Sequence, residues 1–382
     1  MLQMRAGVLG EEWGISGMSK STRRAKWALV GVALALVPAL LLVFEVGTRM
    51  LRPHLDPLEV FISSPQLRQD TQGENTKGMF EFDPLLTWKI RPKLKDVWWD
   101  FTSVSTNSRG IRMERDIMPK KPGQLRIITL GDSVTFGYRV PVARDRANPA
   151  QVEIGRPYPA LLAELLRAKY PGREIEVIPL ACPGYTSGQG LAWLRRDIAE
   201  LKPDAVTACF GWNDIRAAGL PDRETFPQTG EQVWARELVC RSQGLLHLTA
   251  DAAVKNAVAM SQRAPEPRSS PEEYTAHFSE MAALCRAHGA WFGIVLPVYR
   301  DPNTPDTDPG QWTSAEEGQR MTDYRARLQA TAQASNIPVL AIPELTEANW
   351  PASAALFGER IHPNEVGHAL MVERIMGFLP RW

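Results

Sequence analysis

The chain has 382 residues, 44% hydrophobic and 23% charged, with a formal net charge of +1. This is a globular composition with room for one large domain or two small ones. The balanced charge argues against a nucleic-acid binder, which needs a basic face to displace counterions, and no block of like charges marks an interaction tail.

In chain order, the first readable element is WALVGVALALVPALLLVF, Trp27 to Phe44, an uncharged run whose apolar character continues to Val46 around Glu45. At about 1.5 Å per residue, roughly twenty residues cross a hydrocarbon core. Lys20, Arg23, Arg24 and Lys26 precede the run, and only Arg49 and Arg52 follow closely. The positive-inside rule therefore predicts a cytoplasmic tail over 1–26, a transmembrane anchor over 27–46 and an exported remainder, periplasmic or at the cell surface. A cleaved signal peptide is the alternative. Against it, no small-x-small site follows the run, and the ALA at 33–35 falls too early within it. Met18 is an alternative start to Met1, and residues 1–17 carry no readable pattern. Cys182, Cys209, Cys240 and Cys285 match no disulfide framework or zinc spacing. Cys182 and Cys209 lie in apolar strand-like runs, where a free buried thiol is expected.

Residues 53–123 form a Pro-rich and polar approach segment containing FEFDPLLTWKIRP (80–92) and TNSRGIR (106–112). From Leu125 the pattern changes. Strands are predicted at LRIITL (125–130), EIEVIPLA (174–181), AVTACF (205–210), WFGIVLP (291–297) and IPVLAI (337–342). Amphipathic helices are predicted at 157–170, 187–202, 271–289, 316–335 and 364–379. Strands separated by helices of this length imply right-handed crossovers and a parallel sheet covered on both faces, a three-layer α/β/α sandwich over 124–382. The stretch 215–270 interrupts the rhythm and is a candidate cap insertion.

Ligands of such sheets lie at the carboxyl ends of the strands, so the residues there carry the functional signal. The first strand is followed by GDSVTFG (131–137), where a tight turn at Gly131 would lift the Ser133 hydroxyl clear of the sheet. The second is followed by ACPGYTSGQG (181–190), where Gly184 allows close backbone approach and Thr186 or Ser187 can cap a helix. The third is followed by GWND (211–214), where Asn213 offers an amide donor. The fifth is followed, after a loop, by ERIHPN with His362. Each stop alone is ordinary turn chemistry. Together they supply the nucleophile, base and oxyanion donors that acyl transfer requires.

The four stops resemble the SGNH (GDSL-type) hydrolase superfamily, whose blocks centre on Ser, Gly, Asn and His. The resemblance covers about residues 125–380. It implies a flavodoxin-like sheet and esterase or acyl-transfer chemistry with no metal and no other cofactor. Residue by residue it makes Ser133 the nucleophile and His362 the base, with an oxyanion hole from the Ser133 and Gly184 N–H groups and the Asn213 side chain. The N-terminal anchor, TNSRGIR and RSSPEEY together resemble a membrane-anchored bacterial branch of that superfamily.

The superfamily usually has Asp three residues before the histidine; here Glu359 stands there. One extra methylene, about 1.5 Å, can be absorbed by a change of rotamer, and Glu359 is expected to orient His362. Otherwise a backbone carbonyl does so, or the site is weakened. His368 shows no metal-ligand spacing, and His54, His247, His277 and His288 read as surface or boundary residues. Arg109, in NSRG, reads as a turn arginine, with contact to the site from the approach segment as the alternative. The loop 138–156 carries Arg139, Arg144, Arg146 and Arg156, which either help select an anionic or sugar-borne substrate or are simply solvated.

The expected activity is that of a membrane-tethered serine esterase. It would act on small acyl esters, of the acetyl type, on envelope glycans or related molecules. An O-acyltransferase to a glycan hydroxyl uses the same groups and is the first alternative. A catalytically idle glycan-binding protein on the same fold is the second. No substrate-binding residue and no oligomeric state can be read from the sequence.

Overall fold

A computed structural model of the chain describes residues 20–61, 78–99, 102–140, 156–218, 220–260, 263–298, 315–345, 356–358 and 361–382. The first described elements are α1 (Lys20–Leu51), which contains Pro38, and the short α2 (Pro57–Phe61). Within α1, Lys26–Leu51 is long and apolar enough to cross a membrane, and its apolar window is wholly unburied. Two antiparallel hairpins follow, β1 (Phe80–Asp83) with β2 (Thr87–Ile90), then β3 (Val97–Trp99) with β4 (Thr102–Val104).

The sheet begins with β5 (Leu125–Gly131), whose chain turns into α3 (Ser133–Phe136) and, after a connection, α4 (Tyr158–Lys169). Next come β6 (Ile175–Ala181), α5 (Ser187–Leu201), β7 (Ala205–Cys209) and α6 (Trp212–Ile215). The segment that follows opens with β8 (Ala217–Ala218), runs through α7 (Asp222–Thr225), α8 (Gly230–Cys240) and α9 (Gln243–Met260), and closes with β9 (Glu266–Pro267) pairing back to β8. The last part is α10 (Pro271–Ala287), β10 (Trp291–Val295), α11 (Ala315–Ala334), β11 (Val339–Leu340) and α12 (Glu365–Phe378).

The strand order is β11-β10-β7-β5-β6, with every pair parallel. Successive strand residues point to opposite faces, and the two cores follow that alternation. On one face Ile128, Ile178, Val206 and Ile294 pack with Leu194, Phe278 and Tyr324; on the other Ile127, Val177, Ala205 and Val295 pack with Leu162, Leu166, Met371 and Ile375. This is a flavodoxin-like three-layer arrangement. Local signals set the helix starts. Thr186 and Gln189 make a capping box at α5, and Ser270 and Glu273 make another at α10.

Two elements depart from the sequence reading. The edge strand expected over 337–342 is only Val339–Leu340, because Pro338 and Pro343 flank it and cannot donate to a ladder. The hairpins of 80–104 carry no long period-2 pattern, yet they bury Phe80, Trp88, Ile90, Trp99 and Val104 in the same core as the sheet. All four cysteines are free, with Cys182, Cys209 and Cys285 buried.

Candidate active site

The serine turn is built into the end of the central strand. Gly131 closes β5 where a Cβ would overlap the Thr135 side chain and come within 2.8 Å of the Cys209 carbonyl oxygen. Asp132 caps the following turn by accepting from the Val134 N–H at 2.9 Å. The turn ends at Gly137, whose left-handed backbone lets its N–H donate to the Ser133 carbonyl at 3.0 Å. Arg112 reaches in from the loop after β4. It donates to the carbonyls of Phe136 (3.0 Å), Gly137 (2.7 Å) and Val140 (2.7 Å), and burial lowers its pKa to about 10. Burial raises Asp132 to about 6, although the Val134 N–H and the nearby His362 act in the opposite direction.

His362 comes from the loop before α12. Gly358 N–H donates to the His362 carbonyl at 3.0 Å and Asn364 N–H to the Leu356 carbonyl at 2.9 Å. The Asn364 side chain caps α12 by accepting from Val366 and Gly367. The imidazole Nε2 lies 2.7 Å from the Ser133 Oγ, the separation of a hydroxyl donating to an unprotonated ring nitrogen. The ring of Tyr138 lies 4.3 Å from that of His362, centroid to centroid. Trp99 meets Tyr138 edge to face, so the β3–β4 hairpin backs the wall behind the histidine. Glu359, the expected orienting acid, lies outside the described residues, as do Arg144 and Arg146.

Gly184 follows β6 in a left-handed conformation (φ 83°). Its carbonyl accepts from Arg268 at 2.8 Å, and the preceding Pro183 carbonyl accepts from Trp88 Nε1 at 3.2 Å. Asn213 sits in the turn after β7. Its Nδ2 donates to the Tyr185 carbonyl at 3.0 Å and lies 3.5 Å from an Asp132 carboxylate oxygen. Asn213 therefore ties the turn holding Ser133 to the loop holding Gly184. The structure brings Ser133, His362, Gly184 and Asn213 to one edge of the sheet.

Behind the Gly184 loop lies a buried polar layer that the sequence reading missed. Arg268 pairs with Asp222 at 2.9 Å and also donates to Gln189 at 3.1 Å. The Thr186 hydroxyl donates to Asp222 at 2.6 Å. Asp214 accepts from the Ser187 N–H at 3.0 Å and from the Ser187 and Ser269 hydroxyls at 2.5 and 2.8 Å. Burial nevertheless raises Asp214 to about 7. His277 Nδ1 lies 2.8 Å from the Ser187 Oγ, and burial lowers its pKa.

Other residues singled out from sequence are accounted for differently. Arg109 pairs with Glu200 at the surface, as a turn arginine does, while its neighbour Arg112 reaches the serine turn. Arg156 pairs with Glu164, and the Arg139 guanidinium lies over the Tyr138 ring. His368 is buried, accepts from the Tyr158 N–H at 3.1 Å and is held down to about 3 by burial, which keeps it neutral. Among the described residues no cluster of His, Cys, Asp or Glu is arranged to hold a metal ion.

With this geometry in place, comparison with known families is decisive. The model of the GDSL-like Lipase/Acylhydrolase family matches residues 129–370. The chain belongs to that family. The match spans all four polar stops, and membership supports hydrolytic activity on esters. Among solved structures, a GDSL-like lipase from Bacteroides thetaiotaomicron is 15% identical with a TM-score of 0.42, covering 68% of this chain and 90% of its own. An acetyl xylan esterase variant from Geobacillus stearothermophilus is 20% identical with a TM-score of 0.40, covering 68% and 99%. An α/β hydrolase from the metagenome of Lake Arreo is 19% identical with a TM-score of 0.39, covering 66% and 94%. No curated protein matches this GDSL-like chain at a significant level.

Proposed function

We propose that the chain is a membrane-tethered serine esterase that removes small acyl groups, of the acetyl type, from envelope carbohydrate or related molecules. The observation that carries the reading is the 2.7 Å approach of His362 Nε2 to the Ser133 Oγ, at the carboxyl end of the central strand. In this reading Ser133 attacks the ester carbonyl while His362 takes the hydroxyl proton. The tetrahedral oxyanion is met by the N–H groups of Ser133 and Gly184 and by the Asn213 amide. Collapse expels the alcohol, which receives the proton from His362 and leaves an acyl-serine. Water, deprotonated by His362, then attacks the acyl-serine, the free acid departs and Ser133 regains its proton. Glu359 holds the imidazole with its proton on Nδ1.

The plan of the chain follows from the same reading. Residues 1–26 stay in the cytoplasm, 27–46 span the membrane, and 53–123 lead to a catalytic domain of 124–382 outside it, with 215–270 as a cap. The unburied apolar window of α1 and the basic residues ahead of it support the anchor.

The test is intact-mass analysis of the detergent-solubilised full chain after treatment with a fluorophosphonate, beside Ser133→Ala. One adduct, absent from the variant, is expected. No adduct on folded wild-type chain would sink the reading. Product analysis with and without a glycan acceptor then shows whether the acyl group passes to water, as proposed, or to a sugar hydroxyl.

A further inference from the structure

Glu45 is a charge set at the end of the apolar run of α1, and the structure shows what it does. Its carboxylate accepts from the Ser242 hydroxyl at 2.7 Å and from the Gln243 and Gly244 N–H groups at 3.1 and 3.0 Å. A side chain of α1 thus caps the first turn of α9, where unpaired N–H groups and the helix dipole favour a negative charge. Phe44 packs so closely on Gly244 that a Cβ there would overlap its ring. Further along, Arg52 donates to Asp251 at 3.1 Å, and Gln243 bonds both the N–H and the carbonyl of Leu55. Residues 44–52 therefore run beside 244–251 in the same direction. The α8–α9 corner, around Cys240 to Ser242, is level with the end of the apolar run.

That corner carries an unusual surface. On α8, Trp234 is 64% exposed and Leu238 45% exposed. They share a stripe with exposed Arg241, at the i, i+4 and i+7 positions that line one helix face. The opposite face holds half-buried Val233, Arg236 and Val239, with Arg236 stacked over Phe61. An exposed tryptophan, a leucine and an arginine beside the exit of a spanning helix are the composition of a membrane–water interface. Arg49 and Arg52, at the same exit, are paired with Glu45 and Asp251, and Arg241 with Glu237, so the lipid-facing character of the corner rests on Trp234 and Leu238.

We propose that the α8 stripe of Trp234, Leu238 and Arg241 sits in the phospholipid headgroup layer, and that the Glu45 joint fixes it there. This rests on the reading of α1 as a membrane anchor and deepens it. The tether is then a rigid seat, with the catalytic domain held in one attitude over the lipid surface.

The full chain in phospholipid nanodiscs, carrying the photo-crosslinker p-benzoylphenylalanine at one position at a time, tests this by mass spectrometry of lipid adducts. Positions 234 and 238 test the stripe, position 36 in mid α1 tests the anchor, and position 272, exposed on α10, is the control. Lipid adducts at 36, 234 and 238, with at least a tenfold lower yield at 272, are expected. Adducts at 36 alone would overturn the proposal and leave the anchor standing. No lipid adduct at 36 would overturn the anchor reading itself. Crosslinks from 234 or 238 to a second copy of the chain, or equal lipid yields at 272 and 238, would overturn the placement of the stripe and leave the anchor standing. Glu45→Ala should lower the yield at 238 several-fold and leave that at 36 unchanged; an unchanged yield at 238 removes Glu45 from the account.

Discussion

Tyr185 donates its hydroxyl to the carbonyl of Trp88, and the two rings meet edge to face with centroids 5.4 Å apart. Trp88 in turn donates its indole N–H to Pro183, so β2 grips the Gly184 loop on both sides of the glycine. Trp88→Phe keeps a ring there but leaves the buried Pro183 carbonyl without its donor, at a cost of about 1–3 kcal/mol. We expect turnover of a small acetyl ester to fall about tenfold with KM within a factor of about two, together with a lower melting temperature. Unchanged turnover in the destabilised variant would show that the hairpin supports the fold alone.

Arg268, whose guanidinium lies over the Trp88 ring, binds the same loop through the Gly184 carbonyl. Arg268→Gln strands Asp222, which is 8% exposed, and breaking such a pair costs about 3–5 kcal/mol. Urea unfolding should register that loss. Adding Asp222→Asn should return much of the stability and none of the turnover, because the donor to Gly184 stays missing. Recovery of both together would mean that Arg268 serves only the ion pair.

Glu359→Gln tests the first of the three readings of the acid position. If Glu359 orients His362, turnover falls by a factor of about 10⁴, as loss of the acid does in serine triads. Turnover within a small factor of the wild type would refute that role.

Asp214 gives the folded chain a pH signature. Its pKa is raised to about 7 from an ordinary value of 3.8. Between those values the folded state holds a proton that the unfolded state has released, so stability falls as pH rises across that window. Asp214→Asn removes this group's titration and should reduce the dependence of melting temperature on pH between about 4 and 7, most clearly above 6, where Asp132, raised to about 6, no longer contributes. The neighbouring acid Asp222 and His277 remain in the variant. An identical slope in both proteins would refute this assignment.

The sheet was legible because β-branched runs such as LRIITL alternate with capped helices such as SPEEY, where local preference and burial agree. The site was legible in part, because its polar stops follow buried strands. Arg112 and Arg268 stand in the quoted motifs TNSRGIR and RSSPEEY, but their roles were not legible, since an arginine that binds backbone carbonyls leaves no spacing signature. The hairpins of 80–104 escaped for a related reason: their strands are three or four residues long, too short for an alternation to show. Arg109 illustrates the limit well. The motif TNSRGIR does touch the serine turn, but through its last arginine, Arg112, and only the fold says which.

Ser133, Gly184 and Asn213 follow β5, β6 and β7, and β5 lies between the other two. Hydrogen-bonded strands stand about 4.8 Å apart, so the main chain itself spaces these three positions across about 10 Å of sheet edge. Side-chain replacement cannot stretch that interval, because the ladder between Gly131, Ala181 and Cys209 sets it. In the proposed reading, the reacting group of the substrate is therefore met within that span. Any broadening of the substrates accepted must therefore come from the loops around that slot, which are free to lengthen, and not from the slot itself.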